Sequence, residues 1–108
     1  ARRNPRGRNV VVDSVEEYMG NCNKEKVENN TIFIDNYIGH GYGKENEEIE
    51  DTIRAAMVKY GIPLDSTYTG KAFQGMKKYI AENNIKNKNI LFIHTGGTPL
   101  FFDDLRRM

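Results

Sequence analysis

Tryptophan is absent from this chain of 108 residues, cysteine occurs once, histidine twice and proline three times. A single cysteine, Cys22, excludes an internal disulfide and a cysteine-based metal cluster. Two histidines far apart, His40 and His94, with no carboxylate at ligand spacing beside either, give no metal site. No apolar run approaches a membrane span, and no signal-peptide pattern is present. Charge of one sign is missing too: 16 Lys plus Arg stand against 15 Asp plus Glu, which gives no case for a nucleic-acid partner. The exception is the amino terminus, where Arg2, Arg3, Arg6 and Arg8 crowd together. Residues 1–9 read as a disordered or expression-derived lead-in. What is left is one modest domain over residues 10–108, expected to be cytoplasmic.

The chain centres on Asn89–Pro99, NILFIHTGGTP. Ile90–Ile93 is a short continuous apolar run, as expected of a strand buried on both faces. It opens into Gly96-Gly97, which suits either a turn seating a ligand or an ordinary strand-to-helix turn. Thr31–Asp35 (TIFID) is a second strand of the same kind, and Val10–Val12 gives a brief β signal before a short helix, Val15–Met19. The polar tract 21–30 reads as a loop or a frayed helix. Gly39, Gly41 and Gly43 alternate with His40 and Tyr42 in a loop. A helix follows Asn46, with Ile49, Ile53, Ala56, Met57 and Tyr60 on one face and Gly61 and Pro63 at its end. A further helix runs from Gly70 to Glu82 with Phe73, Met76 and Ile80 buried and Asn83-Asn84 as its stop. Leu100–Met108 forms a last short helix. This order predicts an α/β fold, a partial three-layer arrangement with a small, mainly parallel sheet flanked by helices. So few strands make a poor sheet when each wants cover on both faces, which suggests part of a larger sheet.

Three polar clusters stand at element ends: His40 and Tyr42; Asp65, Tyr68, Thr69 and Lys71; His94, Thr95 and Thr98. Cys22 lies in an Asn-rich tract with nothing to activate a thiolate. The glycines match neither a dinucleotide fingerprint nor a Walker loop. Spacing alone therefore describes a pocket of hydroxyls and glycine without an ordinary general base.

Gly41-Tyr42-Gly43, Leu64–Ala72 (LDSTYTGKA) and His94–Pro99 (HTGGTP) resemble, in order and spacing, the carboxyl-terminal part of the D-cysteine desulfhydrase and 1-aminocyclopropane-1-carboxylate deaminase family. These are pyridoxal-phosphate enzymes of the tryptophan-synthase-β-like fold, fold type II. The resemblance covers roughly Thr31 to Leu105. It implies that Tyr42 and Tyr68 are catalytic, facing the substrate where protons move, and that Thr69, Thr95 and Gly96 bind the cofactor. Threonine at 69, where the cyclopropane deaminases have glutamate, favours the pyridine nitrogen's protonation less and tilts the activity towards β-elimination from D-cysteine or a related amino acid. After Pro99 the stretch Leu100–Asp104 departs from many relatives, which have small residues there. The family's Schiff-base lysine and phosphate loop have no counterpart in this chain, and Lys71 is not that lysine.

The resemblance therefore implies a fragment of a pyridoxal-phosphate-dependent lyase, inactive alone and not binding the cofactor covalently. Its partners would be a small amino-acid substrate and the missing amino-terminal part. A deaminase parent and a non-catalytic α/β module that self-associates or docks on a partner are the alternatives.

Overall fold

The computed structural model describes residues 4–20, 23–37 and 44–107. The chain divides into two compact units, Ala1–Ile38 and Gly39–Met108. Its elements are helices: α1 (Arg6–Met19), α2 (Lys24–Asn29), α3 (Lys44–Tyr60), α4 (Thr69–Glu82) and α5 (Thr98–Arg107). Among the described residues there is no strand. This overturns the expected α/β fold with its small parallel sheet.

The reason lies in what a strand requires. A helix satisfies its own backbone, whereas a strand's donors and acceptors need a neighbour. Thr31–Asp35 and Ile90–Ile93 fall in different units, and neither is paired into a ladder. Contiguous apolar residues therefore did not mean burial on both faces. Ile32 is 73% exposed, Leu91 84% and Ile93 71%. In the second stretch Phe92 turns inward and meets the Phe73 ring edge-on, with centroids 5.3 Å apart and planes at 88°. The valine triplet is corrected as well. Val10–Val12 lies inside α1, which begins at Arg6, and Val12 is buried. Packing of that one side chain outweighs the modest cost of β-branched residues in a helix.

In the first unit Asn23 caps α2, its Oδ1 accepting from Glu25 N–H at 2.9 Å. Arg8 donates to the Glu28 carbonyl at 2.9 Å and so ties α1 to α2. The Asn4 amide and side chain donate to Asp35 Oδ2 (2.9 Å) and to the Phe33 carbonyl (3.0 Å).

The second unit holds the core. Ile49, Ile53 and Ala56 of α3 recur at helical spacing and pack with Leu64 and with Phe101 of α5, while Ile62, Phe73 and Phe92 close over the cluster. Met57 and Tyr60, expected on the same face, are exposed. Gly61 ends α3 at φ +66°, its N–H bonded to the Met57 carbonyl at 2.9 Å. Asn84 ends α4 in the left-handed region at φ +50°. The Asn84 and Ile85 amides donate to the Ala81 and Ile80 carbonyls at 3.2 and 3.0 Å, a Schellman arrangement. Across α3 and α4, Glu48 accepts from Lys78 at 3.2 Å on the surface.

Candidate functional site

The turn that opens α4 is built around a carboxylate. Asp65 is fully buried. Its Oδ1 accepts from the Thr67 and Tyr68 amides at 2.8 and 2.7 Å. Its Oδ2 accepts from the Thr69 amide at 3.2 Å and from the Thr69 hydroxyl at 2.7 Å. The Thr69 Oγ1 in turn accepts from the Asp65 amide at 2.9 Å, and the Gly70 amide donates to the Asp65 carbonyl at 2.7 Å. These amides belong to the turn leading into α4 and to the helix's first residue, and a carboxylate at the start of that turn satisfies them. Burial pushes the Asp65 carboxyl up. The hydrogen bonds from the Thr69 hydroxyl and the Tyr68, Thr69 and Thr67 amides outweigh it and hold the group below the ordinary carboxylate value.

The HTGG loop rests on this turn. His94 Nε2 lies 2.8 Å from the Pro63 carbonyl, and its Nδ1 lies 3.1 Å from the Gly96 amide. A carbonyl only accepts and an amide N–H only donates, so in these two bonds Nε2 is the donor and Nδ1 the acceptor. Gly96 and Gly97 have φ of +113° and +85°. A Cβ on Gly97 would collide with the Asp65 carboxylate, whereas one on Gly96 would meet open space. The second glycine is thus required by the buried carboxylate, and the first by backbone direction. Beyond the loop, Asp104 of α5 is buried and takes the Ser66 amide and hydroxyl on its two oxygens, at 2.7 and 2.9 Å. Phe101 and Asp104, three apart on α5, thus bury one apolar and one charged side chain on the same face.

The expected site residues are distributed as follows. Tyr42, with His40 and Cys22, lies outside the described residues. Tyr68 is 65% exposed, its backbone held by Asp65 and its phenol directed into solvent. Thr69 is 2% exposed, and its hydroxyl is engaged with Asp65 as donor and as acceptor. Thr95 is exposed and Gly96 half-buried. The LDSTYTG and HTGG motifs are therefore brought together, by Asp65 against Gly97 and by His94 on the Pro63 carbonyl. Sequence reasoning placed Asp65 in a polar cluster without its organising part and missed Asp104. The signals were present: a carboxylate four residues before a threonine at a helix start, and an acid in step with the buried face of a short helix.

No family model matches the chain, and no solved structure matches it. Among curated proteins it is similar to the D-cysteine desulfhydrase of Klebsiella pneumoniae, 34% identical over 92 residues, which is 84% of this chain and 28% of that protein. The chain thus spans little more than a quarter of the length of the relative it matches. Over most of its own length it is related to D-cysteine desulfhydrase.

Proposed function

We propose that this chain supplies one wall of the active site of a pyridoxal-phosphate-dependent lyase that eliminates sulfide from D-cysteine or a related β-substituted amino acid. The observation that carries this is the meeting of the LDSTYTG turn and the HTGG loop on Asp65, in a chain related to D-cysteine desulfhydrase. Pyridoxal phosphate, when bound, withdraws electrons from the substrate's Cα.

The donor set suits a planar ring at one edge. Thr95 offers an exposed hydroxyl, and Gly96 leaves open space where a side chain would stand, so a ring can approach the backbone. Thr69 stands behind that edge. Asp65 holds its hydroxyl both as donor and as acceptor, so Thr69 fixes the turn against which the ring would rest. The exposed Tyr68 phenol is the group to hold or move a proton on the substrate side, with Tyr42 as its counterpart. The products would be pyruvate, ammonia and sulfide. No residue of this chain matches a Schiff-base lysine or a phosphate loop, so the 108 residues by themselves are expected to be inactive. Their partner in this reading is the remainder of a desulfhydrase-like enzyme, and cyclopropane deamination is the other activity open to it.

A chimera tests this, with this chain replacing the matching region of the Klebsiella enzyme. D-cysteine-dependent release of pyruvate and sulfide is expected; none from a folded, cofactor-loaded chimera would contradict the reading. The non-catalytic alternative, a module that self-associates, is favoured by the exposure of Leu91 and Ile93. Sedimentation of the isolated chain over a wide concentration range separates the two, since a strict monomer contradicts self-association. Among the described residues, no helix is long and apolar enough to cross a membrane.

A further inference from the structure

We propose that Asp65 is a positioning residue that locks the turn carrying Tyr68 and Thr69 to the Gly96-Gly97 loop, so that the two ligand-facing motifs move as one body. The choice of ligand-facing residues rests on the proposed function; the coupling rests on geometry alone.

Three independent ties make the lock. The Asp65 carboxylate holds the Thr67, Tyr68 and Thr69 amides on one side and lies against the Cα of Gly97 on the other. His94 bonds the Pro63 carbonyl, two residues before Asp65, and the Gly96 amide within its own loop. Asp104 holds Ser66, the residue after Asp65, from the helix that the HTGG loop leads into. A buried carboxylate with every oxygen occupied cannot shift alone, because a displaced bond would leave a charge or an amide unpaired. A ligand that moves the Thr95–Gly97 backbone therefore moves Tyr68 and Thr69 with it. Glycine at 97 is what lets the carboxylate approach this closely. The two oxygens have different tasks: Oδ1 serves Thr67 and Tyr68, and Oδ2 serves Thr69 and faces Gly97.

The test is amide-resolved NMR on the 108-residue chain with Gly97→Ala, Asp65→Asn and, as a control for general destabilisation, Ile53→Val. In Gly97→Ala the Thr67, Tyr68 and Thr69 amides are expected to shift and to exchange about tenfold faster. Asp65→Asn puts an NH2 where one oxygen stood. With that group on the Oδ2 side, Thr69 and Gly97 should move more than Thr67 and Tyr68. Ile53→Val should leave this pattern in place. Unchanged Thr67–Thr69 signals in Gly97→Ala, or the same changes in Ile53→Val, would overturn the coupling. In the desulfhydrase chimera, Asp65→Asn should lower kcat for D-cysteine by about tenfold or more at a temperature where the protein stays folded. An unchanged kcat there would overturn the positioning role. A parent chimera that makes no pyruvate would instead count against the functional reading, and the NMR result would still decide the coupling.

Discussion

The two units use similar apolar residues in different ways. In the first, Val12 is the buried apolar side chain among the described residues, while Val10, Val11, Val15 and Ile32 remain exposed. Of its long-range ties, Asn4 to Asp35 and Phe33, and Lys24 to Asp13, lie on the surface, and Arg8 to the Glu28 carbonyl is partly buried. In the second, Ile49, Ile53, Ala56, Leu64 and Phe101 make one cluster, and two buried carboxylates stand beside it with their oxygens engaged. Exposed ion pairs contribute little, whereas buried apolar area and satisfied buried groups contribute most of what holds a fold. A site that must hold side chains to within a fraction of an ångström needs the second kind of support. The candidate site is found there.

The comparison breaks first at Ile53. Truncation to alanine should cost about 2–5 kcal/mol and raise exchange throughout α3 and α4, read by hydrogen exchange with mass spectrometry. Removing the organising carboxylate comes next. Asp65→Ala leaves the Thr67, Tyr68 and Thr69 amides without their partner and should cost about 1–3 kcal/mol in a urea titration.

The same carboxylate sets a pH dependence. Its folded value is lowered, so its contribution is fully present above the unfolded value of about 4 and is lost as pH falls through the folded one. Acid titration of the second unit's stability should therefore be shallower in Asp65→Asn than in the unaltered chain. In the first unit Val12→Ala should cost about 1.5 kcal/mol, visible as faster exchange in α1. The smallest effect is expected at Tyr68, exposed and tied through its backbone. Tyr68→Phe should leave the unfolding midpoint within about 0.5 kcal/mol of its starting value, while abolishing pyruvate release in the chimera.

How much of this was legible from residue order depended on whether the cause was local. The α3 face at Ile49, Ile53 and Ala56, the Gly61 stop and the Asn83-Asn84 end of α4 all follow from spacing and termination chemistry within a few residues. Strand assignment failed for Ile90–Ile93 and Thr31–Asp35 because contiguity says nothing about whether a partner backbone is available. Val10–Val12 failed because the burial of Val12 decides the local conformation. At the site, the motifs and their position at element ends were readable. The part played by Asp65 was not, since it depends on Gly97 and Asp104 closing on it from distant positions in the chain.

The most direct measurement is D-cysteine turnover by the chimera that carries this chain in place of the matching region of the Klebsiella desulfhydrase. The account predicts pyruvate and sulfide release that is lost in Tyr68→Phe while the folded structure is retained. Turnover that survives Tyr68→Phe undiminished, or a folded, cofactor-loaded chimera with no turnover, would contradict it.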